Sequence, residues 1–228
     1  MEYVEIARAE SVRGELVLRE RRDEGATSVL ELRVNGVFVM DSAETTSEVA
    51  LAAAALELVA DPRDVLVGGL GLGFTLQAVL TDPRVERCSV VEIEQSLVDW
   101  MRDGTVPHGQ TLLADVRANV VVADVSLALA EAREATYDLV LLDVDNGPGY
   151  LVHDGNAAVY DAPFLALTRR IIRPAGALVI WSSAESAEFE ATLREVFGNC
   201  EPQSYDVDLQ GRAETYWLYV ARKENSAR

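Results

Sequence analysis

Cysteine and histidine are scarce in this chain, and their scarcity excludes several classes of protein. The 228 residues contain two cysteines, Cys88 and Cys200, and two histidines. Cysteines so few and so far apart cannot build a disulfide framework, and the few histidines add no cluster of zinc ligands. We therefore predict a protein without a structural metal.

Long hydrophobic runs and basic residues are also few. No run reaches the roughly 18 apolar residues that span a membrane, and the N-terminus MEYVEIARAE lacks the basic and apolar regions of a signal peptide. The 38 acidic residues outnumber the 20 basic ones and give a net charge of −18. Proteins that bind a nucleic-acid backbone usually present a basic face. We therefore expect a cytoplasmic protein with neither a nucleic acid nor a membrane as its partner.

The first 41 residues carry the pattern of β-strands. Leu30, Leu32 and Val34 alternate with polar residues, which is the period of a half-buried strand. Asn35-Gly36 follows, and this pair supplies the positive φ values of a type I′ turn. We predict a hairpin within a three-stranded meander, which forms an N-terminal β-rich segment over residues 1–43.

The pattern then changes to that of a helix followed by alternating strands and helices. TTSEVALAAAALELV is rich in alanine and leucine, and Thr45 and Glu48 have the spacing of a capping box at a helix start. From Val65 onward, short apolar runs alternate with helical stretches, and the last two runs predict an antiparallel hairpin. This order predicts an α/β fold with a Rossmann-like, doubly wound and mostly parallel sheet, in a catalytic domain over residues 44–228.

Ligands of such a sheet bind beyond the carboxyl ends of its strands, so we expect functional residues there. The first strand end, VLVGGLGLGF, carries a glycine-rich turn that consists of Gly68, Gly69, Gly71 and Gly73. The turn is not the dinucleotide pattern G-x-G-x-x-G, because Phe74 occupies the place of the third glycine. It can let the backbone approach a nucleoside, or it can serve tight packing between strand and helix.

The next two strand ends carry carboxylates. Glu92 lies 19 residues after Gly73, where an acidic side chain can accept hydrogen bonds from the ribose hydroxyls of a nucleoside. The alternative is a solvated surface residue. Asp124 ends VVVAD, where its side chain can bind the adenine amino group or cap the following helix. Together with the glycine turn, these residues predict a nucleoside site.

The fourth strand end stops on a pair of aspartates and a turn. YDLVLLDVDNGPGYL runs from an apolar strand into Asp143 and Asp145, and Asn146-Gly147 follows. In one interpretation the aspartates contact a substrate at the edge of the sheet. In the alternative, they only cap the turn.

These motifs together resemble the spermidine synthase family, aminopropyltransferases on the class I methyltransferase fold, and above all its short bacterial members. VLVGGLGLGFTLQAVL is similar to the family's glycine turn, VVEIEQSLVDW to its ribose-binding strand, and LLDVDNGPGYL to its catalytic D-S-x-D-P-x-G-P loop. The resemblance implies S-adenosylmethionine or its decarboxylated form as donor, and a small-molecule acceptor. It also implies that Asp143 and Asp145 face an acceptor amine and that the loop 146–156 gates the pocket.

A sulfonium donor needs no general acid, because its leaving group departs as a neutral thioether. The reaction needs an amine that is oriented for attack and relieved of its proton, and an aspartate at hydrogen-bond distance can do both. We expect Asp145 in this role, with Asp143 holding the amine or the loop.

The chain departs from the family pattern at several ligand-facing positions. Gly71 stands where the family has an aspartate, which the resemblance implies grips the bare ammonium of decarboxylated S-adenosylmethionine. An acid there would repel the carboxylate of ordinary S-adenosylmethionine, so glycine suits the carboxylated donor. Thr46, Ser47 and Glu48 stand in place of the family's Tyr, His or Gln, and Glu. We therefore expect methyl transfer to a small acceptor, which the acidic charge allows to be cationic.

Two other functions stay open. The first is a true aminopropyltransferase in which Asp41, Glu44 or Glu48 replaces the missing aspartate. The second is a nucleoside-binding protein without turnover, although the retained Asp143 and Asp145 speak against it.

Three residues are candidates for the acceptor pocket. Glu48 is one, and Tyr150 directly follows a Gly-Pro-Gly turn. Trp181 can wall the pocket from the end of ALVIWSS, although an aromatic residue at a strand end more often serves packing. His153 is expected to be solvated. The sequence leaves a homodimer open.

Overall fold

The computed structural model describes residues 2–25, 27–149, 151, 154–209 and 211–225. Its strands are β1 (Glu2–Ser11), β2 (Gly14–Arg22), β3 (Val29–Val34), β4 (Val37–Asp41), β5 (Asp64–Gly68), β6 (Arg87–Glu92), β7 (Ala118–Val122), β8 (Tyr137–Leu142), β9 (Ile172–Ser182), β10 (Glu201–Leu209) and β11 (Arg212–Arg222). Its helices are α1 (Thr46–Leu58), α2 (Phe74–Leu80), α3 (Gln95–Asp103), α4 (Gly109–Leu113), α5 (Val125–Glu131), α6 (Ala162–Ile171) and α7 (Ala187–Phe197), and a 3₁₀ helix covers Asp154–Tyr160. Within these ranges, no helix has the length and hydrophobicity that crossing a membrane requires.

The N-terminal segment forms an antiparallel sheet in the order β1-β2-β3-β4. The predicted three-stranded meander is wrong by one strand, because β1 pairs with β2 along its whole length. None of the β1 residues is fully buried, so β1 lacks the alternation that reveals a half-buried strand in a sequence. The predicted hairpin is confirmed, since Asn35 and Gly36 have φ values of 50° and 77° and connect β3 to β4.

The rest of the chain builds a seven-stranded sheet in the order β10-β11-β9-β8-β5-β6-β7. Strands β5 to β9 pair in parallel, and β11 runs antiparallel between β9 and β10. The chain proceeds from β5 to β6 in one direction and from β8 to β9 in the other. The predicted doubly wound, mostly parallel sheet with a closing hairpin is therefore confirmed, and its strand order switches between β5 and β8.

Alternating residues of the central strands serve different cores on the two faces of the sheet. In β5, Val65 and Val67 pack with side chains of α1 to α3, whereas Leu66 packs with side chains of α5 to α7. The same alternation continues in β8. Because both faces are covered, these strands read in the sequence as continuous apolar runs.

The core beside α1 also includes side chains of the N-terminal sheet. Leu16, Leu18 and Leu32 are at most 2% exposed and belong to the same cluster as Leu51 and Val65. The predicted boundary at residues 43 and 44 lies in the connection between β4 and α1. The division into two domains itself stays a prediction.

Truncation of a side chain in this shared core should destabilise the whole protein. Leu18 is fully buried, so Leu18→Ala should lower the free energy of unfolding by about 2 to 4 kcal/mol through lost transfer energy and an unfilled cavity. Urea denaturation followed by tryptophan fluorescence measures this change, because every tryptophan lies outside the N-terminal sheet. Val12→Ala, at a side chain that is 96% exposed, is the control. An unchanged transition for Leu18→Ala would refute the shared core.

Candidate active site

A cavity of about 810 Å³ opens at the carboxyl ends of the parallel strands, beside the switch between β5 and β8. Its walls bring together residues that are far apart in the sequence, among them Gly69, Gly71, Glu92, Asp143, Trp181 and, from α1, Glu48. The N-terminal sheet contributes further wall residues, which include Leu16, Val34 and Met40. The size and the mixture of apolar and charged groups suit a small-molecule ligand.

The glycine turn after β5 reaches the cavity through Gly69 and Gly71. Gly69 has a φ of +92°, and a Cβ atom there would lie 2.0 Å from the backbone oxygen of Asp143. A side chain cannot be accommodated at this approach. Gly68 and Gly73 do not line the cavity, because side chains of β8, α3 and α4 fill the space beside them. Their geometry matches the alternative of tight packing between strand and helix.

Glu92 at the end of β6 is a buried carboxylate at the cavity wall. It is 7% exposed, which excludes the alternative of a solvated side chain. Its oxygens accept hydrogen bonds from the backbone N–H groups of Leu70 and Glu94, each at 2.8 Å. Burial raises the pKa of Glu92, and these N–H bonds oppose that shift. Glu92 thus holds the glycine turn to the end of β6.

Asp124 lies at the rim of the cavity and caps α5. Its Oδ1 accepts the backbone N–H of Ser126 at 2.7 Å, and the side chain is exposed. The helix-cap alternative therefore describes this residue in the structure. Its contact with an adenine stays a prediction.

Glu48 in the first turn of α1 lines the cavity, and its carboxylate also accepts its own backbone N–H. The predicted capping box is wrong, because Thr45 occupies the N-cap position without a side-chain hydrogen bond to the described part of the helix. The Glu48 carboxylate accepts a hydrogen bond from the Ser47 hydroxyl at 2.7 Å and is 7% exposed. The tertiary surroundings of Glu48 therefore decide where its carboxylate lies, and the local spacing from Thr45 does not.

Asp143, directly after β8, lies close enough to Glu48 for their charges to interact. Its carboxylate accepts a hydrogen bond from the Thr75 hydroxyl at 3.1 Å. Burial raises the pKa of Asp143 to about 6, and burial together with the charge of Asp143 raises the pKa of Glu48 to about 7. Glu48 is buried and Asp143 is half-buried, and carboxylates in such surroundings that repel each other favour the uptake of a proton or a cation. The pair can therefore bind an ammonium group or accept a proton near neutral pH.

Asp145 is held by the loop that it begins. Its Oδ1 accepts the backbone N–H of Asn146 at 2.6 Å, and its Oδ2 accepts the side-chain amide of Asn156 at 2.6 Å. Asp145 and Asn156 both line the cavity. Asp145 therefore caps its own turn, as the alternative interpretation expects, and also ties the loop to the 3₁₀ helix.

Trp181 and Tyr216 form an aromatic wall of the cavity. Their ring centroids are 4.9 Å apart at an interplanar angle of 72°. The indole N–H of Trp181 is buried without a hydrogen-bond partner among the described residues. Burial, followed by the charge of Glu214, raises the pKa of Tyr216 to about 12, so its hydroxyl stays protonated. The predictions for Tyr150 and His153 lie outside the described residues.

The sequence analysis missed Arg13, Met40 and Tyr216, which come from the N-terminal sheet and the closing hairpin. Arg13 donates to the Glu94 carboxylate at 2.6 Å and to the backbone oxygen of Ile93 at 2.8 Å. Among the described residues that line the cavity, Arg13 is the one basic side chain, and it is already paired. No local sequence pattern marks Arg13, Met40 or Tyr216 as wall residues.

Across the described ranges, no group of three or more Cys, His, Asp or Glu side chains is placed to hold a metal ion.

The strand order defines the class I methyltransferase-like fold. The crystal structure of spermidine synthase from Thermotoga maritima matches with a TM-score of 0.79, at 16% identity, over 97% of this chain and 74% of that one. The family model described as the spermine/spermidine synthase domain matches residues 44–207. The chain belongs to the spermine/spermidine synthase family, as its motifs indicated.

Curated relatives carry different transferase activities in their names. Polyamine aminopropyltransferase 2 of Pseudomonas aeruginosa is 32% identical over 148 residues, which cover 60% of this chain and 40% of that protein. Putrescine N-methyltransferase 3 of Nicotiana tabacum is 28% identical over 145 residues, which cover 62% of this chain and 35% of that protein. This chain thus aligns with less than half the length of either relative.

The carboxylate pair predicts how stability depends on pH. Because burial raises the pKa values of Glu48 and Asp143, the folded protein binds more protons than the unfolded chain between about pH 4 and pH 7. The pair should therefore lower the free energy of unfolding as the pH rises through this range. Glu48→Gln should reduce this fall by about 1 to 3 kcal/mol, because a neutral amide replaces the buried acid.

Urea denaturation at several pH values across this range measures the fall. Glu57→Gln, at an exposed position of the same helix, is the matched control. A dependence on pH that is as steep in Glu48→Gln as in the unsubstituted protein would contradict the buried pair.

Proposed function

We propose that this protein transfers a methyl group from S-adenosylmethionine to a small cationic amine. The observation that carries the proposal is the Glu48–Asp143 carboxylate pair in a cavity that also contains the glycine turn and Glu92. The names of the two relatives refer to polyamines and to putrescine, which supports an amine acceptor. The Glu48–Asp143 pair supplies negative charge inside the cavity, where it can bind the ammonium group of a cationic acceptor.

The nucleoside of the donor fits the end of β6 and the glycine turn. The Glu92 carboxylate accepts backbone N–H groups of Leu70, Ile93 and Glu94, and a carboxylate has about four acceptor sites in all. Glu92 can therefore receive ribose hydroxyls while it holds the turn. Asp124 can offer adenine the carboxylate oxygen that does not accept from Ser126.

The acceptor fits the carboxylate pair and the aromatic wall. An ammonium group beside Glu48 and Asp143 replaces the proton that their mutual repulsion otherwise favours. Trp181 and Tyr216 border the same cavity, and aromatic rings attract cations. The pocket thus suits a small amine through both charge and aromatic contact.

When bound, S-adenosylmethionine supplies an electrophilic methyl carbon on a sulfonium that becomes a neutral thioether. The protein's task is to orient the amine nitrogen toward that carbon and to take its proton. We assign the proton to Asp143, because its backbone is bonded to Gly68 beside the glycine turn and burial raises the pKa of its carboxyl to about 6. We assign to Asp145 the positioning of the loop through Asn156. These assignments exchange the roles that the sequence suggested.

Aminopropyl transfer from decarboxylated S-adenosylmethionine is the second candidate function. Glu44 and Glu48 favour it, because both line the cavity and could bind the free ammonium of that donor. Asp41 suits this role less, because it is 2% exposed and both of its carboxylate oxygens have partners. Its Oδ1 accepts the backbone N–H groups of Ala43 and Glu44 at 2.9 Å, and its Oδ2 lies 3.8 Å from the Arg21 guanidinium. Gly71 favours methyl transfer, since it adds no acid beside the donor. Nucleoside binding without turnover leaves the burial of the carboxylate pair unexplained.

Replacement of Glu92 should weaken nucleoside binding through the ribose. Glu92→Gln should cost about 1 to 3 kcal/mol of binding free energy for methylthioadenosine, because a ribose hydroxyl loses a charged acceptor. The loss should be much smaller for 2′-deoxymethylthioadenosine, and titration calorimetry measures both values. Equal losses for the two ligands would assign Glu92 to the structure of the turn alone.

Turnover should depend on Asp143 more than on Asp145. Asp143→Asn should lower the rate by roughly 10² to 10⁴ and keep the affinity for methylthioadenosine, because the amide cannot accept the proton. Asp145→Asn is the matched comparison, with a loss of about tenfold or less. The assay supplies putrescine with either form of the donor and identifies the products by mass spectrometry.

The products also separate the candidate functions. A methylated amine supports the proposal, whereas an aminopropylated amine would establish the second candidate. A larger loss for Asp145→Asn would restore the roles that the sequence suggested. Nucleoside binding without a product from either donor, across a panel of diamines, would favour the function without turnover.

A further inference from the structure

Met40 in β4 places its thioether against the glycine turn. The backbone N–H of Leu72 donates to the Met40 sulfur at 3.2 Å. A Cβ atom at Gly71 would lie 2.7 Å from the same sulfur, and Gly71 has a φ of +50°. Met40 therefore occupies the space that any side chain at position 71 would need.

The backbone next to Met40 is held firmly. Asp41 is 2% exposed, and its Oδ1 accepts the N–H groups of Ala43 and Glu44 at 2.9 Å. The glycine turn, which lies on the other side of the Met40 thioether, is also fixed, because the Glu92 carboxylate accepts the N–H of Leu70. The contact between thioether and turn thus joins two fixed segments, and Met40 and Gly71 both line the cavity.

The cavity wall has a neutral part and an acidic part. Met40 and Gly71 present a thioether and bare backbone beside the turn. The carboxylates that line the same cavity include Asp41, Glu44, Glu48 and Asp143. A charged side chain introduced at position 40 or 71 would act on the group of the donor that lies over the glycine turn. An acid there would attract an isolated ammonium and repel a carboxylate.

We propose that Met40 determines which donor the site accepts, because its neutral thioether fills the place over Gly71 and admits a donor that retains its carboxylate. This inference rests on the proposed function and names the residue that sets its donor. Met40 acts through its volume, through the absence of charge and through its contact with Leu72. The tail of the donor, meaning the chain beyond the nucleoside and its sulfur, is the part that it selects.

The first test compares Met40→Glu with Met40→Gln, which have similar length and differ in charge. Titration calorimetry measures the affinities for S-adenosylmethionine, its decarboxylated form and methylthioadenosine, which lacks the tail. The unsubstituted protein should prefer S-adenosylmethionine. Relative to Met40→Gln, Met40→Glu should shift the ratio of the two donor affinities toward the decarboxylated form by about tenfold or more. The affinity for methylthioadenosine should be equal in the two variants.

The second test moves the acid to position 71 and does not depend on the folding of Met40→Glu. Gly71→Asp alone should weaken binding of all three ligands, because the Met40 thioether would have to leave the Leu72 N–H to make room for the new Cβ. The double variant Met40→Ala/Gly71→Asp removes this clash, and aspartate tolerates a positive φ better than most residues. Compared with Gly71→Asp, the double variant should regain binding of methylthioadenosine. Compared with Met40→Ala, it should prefer the decarboxylated donor.

Distinct results would overturn the inference and the proposed function. A ratio of donor affinities that is equal in Met40→Gln, Met40→Glu and the double variant would overturn the inference alone. A preference of the unsubstituted protein for the decarboxylated donor would also overturn it and would promote aminopropyl transfer. Failure of the unsubstituted protein to bind any of the three ligands would overturn the proposed function and the inference with it.

Discussion

The arrangement of the site depends on the parallel pairing of β5 with β8. The backbone N–H of Asp143 donates to the oxygen of Gly68 at 2.9 Å, which places the glycine turn beside the end of β8. Gly69 then passes so close to the Asp143 oxygen that a side chain cannot fit. A slip in this pairing would move the Asp143 carboxylate away from the turn, so the contents of the cavity depend on the register of these two strands.

The site carries electrostatic strain that a fold selected for stability alone would avoid. Glu92 is buried, but backbone N–H groups compensate its charge. The carboxylates of Glu48 and Asp143 instead line the same cavity and repel each other, and they receive hydroxyl hydrogen bonds from Ser47 and Thr75. Raised pKa values of this kind are concentrated at functional sites. A cationic ligand would supply the compensation that the described side chains leave incomplete.

The N-terminal sheet takes part in the site although the family match begins only at residue 44. Arg13 and Met40 both precede that match and both line the cavity. Arg13 joins β6 through Glu94, and Met40 reaches the glycine turn through Leu72. The glycine turn, Glu92 and Asp143 thus come from the seven-stranded sheet. Met40, to which we assign the choice of donor, comes from the N-terminal sheet.

The comparison of sequence and structure separates local from nonlocal information. Apolar alternation predicted β3 and the Asn35-Gly36 pair predicted its turn, but β1 stayed hidden because all its residues are exposed or half-buried. The pattern of Thr45 and Glu48 predicted a helix start correctly and a capping box wrongly. Helix starts follow from local propensity, whereas the direction of a side chain depends on what packs against it.

By itself, the sequence determined the alternation of strands and helices from β5 onward and the presence of Glu92, Asp143 and Asp145 at strand ends. Periodicity and turn residues are signals between near neighbours, so they can be read without a structure. Only the tertiary structure decided that Glu48 faces Asp143 and that Met40 covers Gly71. Burial and charge interactions act through space between residues that are distant along the chain, and they exist only once the sheets and helices have packed.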